Sequence, residues 1–215
     1  MIQKNISIPK TARYFQLGEP SAAIDTVWFV CHGYGQLASY FLEHFKMLEN
    51  GRTLIIAPEG LHRFYWEKFS GRVVASWMTK EDRNEDIQDY VNFLDAVYEE
   101  VINSLPSNTN NLKVNVLGFS QGTATVSRWL SKKNSKADNL ILWAGTFPDD
   151  LGDEGLFNSL NMHLVTGTED PFVSAELKLK QEKELTEKRI RFTHLSFQGK
   201  HEIHSETLAK ISETF

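Results

Sequence analysis

The sequence holds a single cysteine, Cys31, so no disulfide can form within the chain, and this usage fits a reducing compartment. It also lacks a basic block: 23 Lys and Arg stand against 28 Asp and Glu, a net charge of −5. That balance argues against nucleic acid as the main partner and against docking on an anionic membrane by charge. No apolar run approaches the roughly 20 residues of a membrane span, and the opening MIQKNISIPK lacks the apolar core of a secretory signal. No internal repeat, low-complexity tract or linker rich in Pro, Gly or Ser divides the chain. These absences leave one soluble domain over residues 1–215, expected in the cytoplasm and without stable membrane insertion. Hydrophobic content of 41% and aromatic content of 12% suffice for a real core.

What is present alternates between strand and helix. Apolar strands are expected at 13–17, 26–31, 53–57, 139–144, 163–166 and 190–197, and helices at 39–48, 82–105, 175–188 and 203–215. The helix over 82–105 repeats apolar residues at Ile87, Tyr90, Val91, Leu94, Val97 and Val101, and Pro106 with the polar run 107–111 breaks it. Residues 59–80 form the least regular stretch, holding Phe64, Tyr65, Trp66, Phe69 and Trp77, and are long for a mere connection. The alternation predicts an α/β fold: a mostly parallel central sheet with helices on both faces. Ligands in such sheets bind beyond the carboxyl ends of the strands.

The stretch Leu112–Ser131 carries the chemistry. An apolar run, Val114-Asn115-Val116-Leu117, meets Gly118-Phe119-Ser120-Gln121-Gly122, and a helical pattern with Val126, Trp129 and Leu130 follows. Strand, sharp turn and helix with a serine at the apex is the nucleophile elbow of the α/β-hydrolase fold. A serine hydroxyl needs a base to take its proton and a third group to orient that base. In this fold the acid follows the serine and the histidine comes last. Asp170, in Gly167-Thr168-Glu169-Asp170-Pro171, is the candidate acid, with Glu169 adjacent and Asp149, Asp150 and Asp153 as weaker choices. His201, after Gly199, is the candidate base, with His204 as the alternative. The spelling His201-Glu202-Ile203-His204 is one residue short of the zincin pattern, so no metal is expected. His44, His62, His163 and His194 show no partner and read as surface or core-edge residues. The oxyanion needs preorganised N–H donors: that of Gln121 at the start of its helix, and that of Tyr34 in the loop His32-Gly33-Tyr34-Gly35. His32 then reads as a structural residue of that loop, and Cys31 as a buried core residue.

The set Cys31-His32-Gly33-Tyr34-Gly35, Gly118-Phe119-Ser120-Gln121-Gly122, Gly167-x-x-Asp170 and Gly199-x-His201 resembles the small carboxylesterase/phospholipase family of α/β-hydrolases. That family includes acyl-protein thioesterases and many bacterial esterases. The resemblance runs from about Thr26 to the C-terminus. It implies a triad of Ser120, Asp170 and His201, oxyanion N–H groups from Tyr34 and Gln121, no large lid and no cofactor. Two positions depart from the pattern: Thr123 stands where many members have another glycine, and Gln36 where the thioesterases have aspartate.

The expected activity is therefore hydrolysis of a small-molecule ester or thioester through an acyl-enzyme. A ligand-binding protein without turnover and a peptidase using the same triad are the alternatives. The aromatic stretch is expected either to wall an acyl pocket, with Trp77, Met78 and Phe64 as contacts, or to pack its rings on one another.

Overall fold

The computed structural model describes residues 1–106, 111–132, 134–151 and 155–215. Residues 107–110, most of the expected break after the long helix, and Asp153 lie outside these. The main sheet contains β1 (Tyr14–Leu17), β2 (Thr26–Cys31), β3 (Thr53–Pro58), β6 (Lys113–Phe119), β7 (Asn139–Trp143), β8 (Asn161–Gly167) and β9 (Phe192–Phe197). Their order is β1-β3-β2-β6-β7-β8-β9. Every pairing is parallel except β1 with β3. The chain runs from β2 outward to β3 on one side, then returns past β2 to β6 on the other. The carboxyl ends of β2 and β6 thus flank the point where the winding reverses, and a crevice opens there.

Side chains of the central strands alternate between two buried layers. Val27, Phe29 and Cys31 of β2 pack with α2 (Arg83–Ser104) and α3 (Gln121–Ser131) through Tyr90, Leu94, Val126 and Trp129. Trp28 and Val30 face the other layer, with Phe41 of α1 (Ala38–Leu42) and Leu208 and Ile211 of α5 (Ser205–Ser212). Helix α4 (Ala175–Glu187) follows β8, capped by the Ser174 side chain. This two-faced burial is why the strands read as near-continuous apolar runs.

Three expectations change. The helix expected at 39–48 is five residues of α-helix followed by a 3-10 turn, Glu43–Leu48. Phe45 and Leu48 remain buried because the three-residue period of that turn also puts them on one side. The closing helix is shorter than 203–215, since His204 occupies its N-cap position. The stretch 59–80 is not irregular: β4 (His62–Glu67) and β5 (Ser70–Ser76) form an antiparallel hairpin. Its β-branched and aromatic content favours strands. The pattern was concealed because both faces of the outer half are exposed and a register shift falls between Tyr65 and Glu67.

Backbone crowds backbone at the elbow. A Cβ on Gly122 would stand 2.2 Å from the Cys31 carbonyl oxygen, so α3 and β2 approach as closely as glycine permits. Gly122→Ala is expected to cost about 3 kcal/mol or more of unfolding free energy, because backbone must shift to admit the methyl. Urea denaturation of the purified variant measures it as a drop in midpoint.

Candidate active site

Ser120 stands between β6 and α3 with φ 53° and ψ −116°, a conformation that a residue with a side chain adopts only under strain. The surroundings hold it there. Its N–H donates to the Trp143 carbonyl at 2.8 Å. Its carbonyl accepts the Thr123 N–H at 3.0 Å and the Thr123 hydroxyl at 2.7 Å. That hydroxyl also lies 3.1 Å from the Thr146 carbonyl, so Thr123 ties the elbow to the loop after β7.

Asp170 follows β8 and His201 follows β9. Their loops are laced together: the Thr168 N–H donates to the Phe197 carbonyl and the Glu169 N–H to that of Gly199, each at 2.9 Å. The buried Asp170 accepts the N–H groups of Phe172 (2.8 Å) and Val173 (3.2 Å) on Oδ1. Its Oδ2 lies 2.8 Å from His201 Nδ1. A ring nitrogen donating there leaves Nε2 as the basic lone pair. The imidazole contacts the rings of Phe119 and Phe172, each with its centroid 4.8 Å away. Phe119 precedes Ser120, which brings the imidazole near the elbow. The Ser120–His201 leg is not closed by a hydrogen bond among the described residues; such contacts tighten when substrate binds.

The alternatives are engaged elsewhere. Glu169 and Asp149 are exposed. Asp150 pairs with Arg83 at 2.6 Å and Arg128 at 3.0 Å. His204 bonds Thr207 Oγ1 at 2.9 Å and stacks on Phe197. Cys31 is fully buried, and burial drives its thiol pKa far upward, away from the thiolate. Two of the histidines expected to lack partners have them. His62 Nε2 lies 3.0 Å from Asp86. His194 bridges Glu182 and Thr166, fastening α4 to the sheet.

The loop after β2 is built around His32. Its Nδ1 lies 2.7 Å from the Gly33 carbonyl, and its Nε2 accepts the Gly60 N–H at 3.0 Å. Gln36 Oε1 accepts the Gly33 N–H at 2.7 Å. The Tyr34 and Gln121 N–H groups have no protein acceptor among the described residues. The Gln121 side chain does work that its sequence position did not suggest. Its Oε1 accepts the Trp77 N–H at 3.1 Å, and its Nε2 donates to the Met78 carbonyl at 3.1 Å. The hairpin is thereby fastened to the residue after the serine.

The aromatic stretch divides. Trp77 is wholly buried, its Nε1–H donating to the His32 carbonyl at 2.8 Å. It is a core residue, and the expected contact with substrate is corrected on that ground. Met78 is half-buried, its sulfur 3.8 Å from Arg128 Nη1. Phe64 stays near the surface, its ring 5.5 Å from Tyr34 and 6.5 Å from Trp66. Phe172, exposed against His201, was overlooked, although an aromatic directly after the Asp170-Pro171 turn is the signal for it.

Burial pushes His32 from 6.5 down to about 4, so the folded protein holds it neutral. A protonated ring could no longer accept the Gly60 N–H. The unfolded chain takes up the proton first as pH falls. The stability that neutral His32 contributes is complete above about 6.5 and is lost progressively toward about 4, on the order of 3 kcal/mol in all. Urea midpoints at pH 7 and pH 4.5 should therefore separate less in His32→Gln than in the wild type. Equal separation would rule this residue out as a source of acid sensitivity.

A family model described as Phospholipase/Carboxylesterase matches residues 14–215. No curated protein matches the sequence at a significant level. Among solved structures, acyl-protein thioesterase 2 of Zea mays is similar at a TM-score of 0.71 and 14% identity, covering 95% of this chain and 97% of that one. A carboxylesterase of Mesorhizobium loti gives 0.71 and 14%, covering 94% and 93%. The Bacillus cereus carboxylesterase gives 0.66 and 14%, covering 94% and 92%. Likeness at these identities is likeness of fold, here a mostly parallel α/β sheet of the hydrolase type. The family match, spanning nearly the whole chain, is the stronger statement: this chain belongs to the phospholipase/carboxylesterase family of α/β-hydrolases.

Proposed function

We propose that this chain hydrolyses carboxylic esters or thioesters of small molecules through an acyl-enzyme on Ser120. One observation carries the reading: the Asp170–His201 pair, at 2.8 Å, stands at the sheet edge that also bears the strained serine. His201 Nε2 takes the Ser120 proton as Oγ attacks the carbonyl. Asp170 fixes the ring tautomer and stabilises the imidazolium. The N–H groups of Tyr34 and Gln121 receive the oxyanion, the second at the positive end of α3. His201 then protonates the departing alcohol or thiol and activates the water that releases the acid. No cofactor enters these steps. The single, buried Cys31 fits a reducing compartment, and we assign the protein to the cytoplasm and to a small-molecule partner, with no role for nucleic acid. Among the described residues no helix is long and apolar enough to cross a membrane.

A fluorophosphonate probe tests the nucleophile: the folded wild type should label and Ser120→Ala should not. An unlabelled wild type would favour ligand binding without turnover. Asp170→Asn should lower kcat by roughly 10³- to 10⁴-fold on a p-nitrophenyl ester. If circular dichroism shows the fold intact and the rate barely moves, Asp170 is not the acid.

A further inference from the structure

A groove of about 340 Å³ lies beside the oxyanion loop. Gly35 and Gln36 of that loop, Tyr40, Phe41, His44 and Arg72 line it. It borders the nucleophile. The Phe41 ring lies 5.9 Å from Phe119. A Cβ on Gly33 would stand 3.1 Å from Ser120 Cβ and 3.2 Å from Gln36 Oε1, so one residue's width separates groove from serine. Trp66 packs against one lining residue, Gly35. Gly35 adopts φ +74°, and a Cβ there would stand 2.4 Å from the Trp66 ring.

On that same indole rests a cation. The Arg72 guanidinium carbon lies 5.3 Å from the Trp66 ring centroid. Other arginines near the hairpin have carboxylates: Arg63 has Glu59 at 3.8 Å, and Arg83 has Asp150 at 2.6 Å. Among the described residues Arg72 has no acidic partner, and none of the residues lining the groove is acidic. Partial burial lowers the His44 pKa, against a weaker opposing pull from Glu43. Arg72 therefore supplies the positive charge of the groove. In a chain of net charge −5, carboxylates are in excess. A guanidinium resting on an aromatic ring in this groove, with no carboxylate partner among the described residues, is suited to recognising an anion in two-point fashion.

We infer that Arg72 reads a carboxylate or phosphate on the substrate, and that the groove holds the substrate segment carrying it. The inference rests on the hydrolase reading of Ser120. It makes Arg72 a specificity residue, with no part in bond breaking.

The test compares charged and neutral esters of matched length on wild type, Arg72→Gln, Arg72→Lys and Arg72→Glu. Acyl-side carboxylate is probed with p-nitrophenyl hydrogen glutarate and adipate against p-nitrophenyl pentanoate. Alcohol-side phosphate is probed with 1-acylglycerol 3-phosphate against the 1-monoacylglycerol. The wild type should prefer one of the two anionic esters to its neutral counterpart. Arg72→Gln should lower that anionic-to-neutral ratio of kcat/KM by roughly 10- to 100-fold, mainly through KM. Arg72→Lys should restore part of it, and Arg72→Glu should lower it further. Added salt should erode the wild-type preference, since the site is partly open to solvent. A ratio unchanged in all three variants, with neutral esters still turned over, overturns the inference. Failure of the wild type on every ester would instead overturn the hydrolase reading.

Discussion

The site depends on backbones approaching where no side chain can stand between them. At the elbow, α3 leans on the end of β2 with only Gly122 between. The end of β7 accepts the Ser120 N–H through Trp143, and Thr123 holds the loop that follows. These contacts make the unfavourable dihedral angles of Ser120 the least costly option for the whole. They also place the N–H groups of Tyr34 and Gln121, because the same close approach brings the loop after β2 alongside the first turn of α3. Strain at one residue and geometry at two N–H groups thus share one cause.

A second coupling runs through the hairpin. β5 pairs with the loop after β2 by backbone: the Gly35 N–H donates to the Ala75 carbonyl and the Ala75 N–H to that of Gln36, both at 2.9 Å. Gln121 grips the following residues through Trp77 and Met78. Trp77 meanwhile supports His32, its ring centroid 5.1 Å from the imidazole. Loop, hairpin and elbow are therefore bonded into one block around Ser120. Asp170 and His201 come from the other flank, on loops laced to each other after β8 and β9.

Much of this was legible in the sequence where local rules suffice. Glycine spacing around Ser120, apolar strands, and an acid and a histidine just past strand ends all express short-range physics, and Asp170 and His201 do meet. Legibility failed where a residue's role is set by distant partners. Trp77 looks like its aromatic neighbours in the chain, yet lies in the core because the His32 carbonyl needs a donor there. Gln121 looked like a source of one backbone N–H, while its amide spans to a segment some 45 residues away. His194 looked solitary because its two partners sit on other elements. The hairpin was missed because its exposed half carries no in–out alternation.

The hairpin's inner edge is fastened by main-chain groups, which do not read the identity of the side chains they belong to. Its outer half, with Tyr65, Trp66, Phe69 and Arg72, meets solvent. Trp66 is tied to the loop after β2, its ring packed against Gly35 and 6.0 Å from that of Tyr34, whereas Phe69 extends into solvent. Side chains on that outer face can therefore change while the main-chain bonds that fasten the inner edge persist.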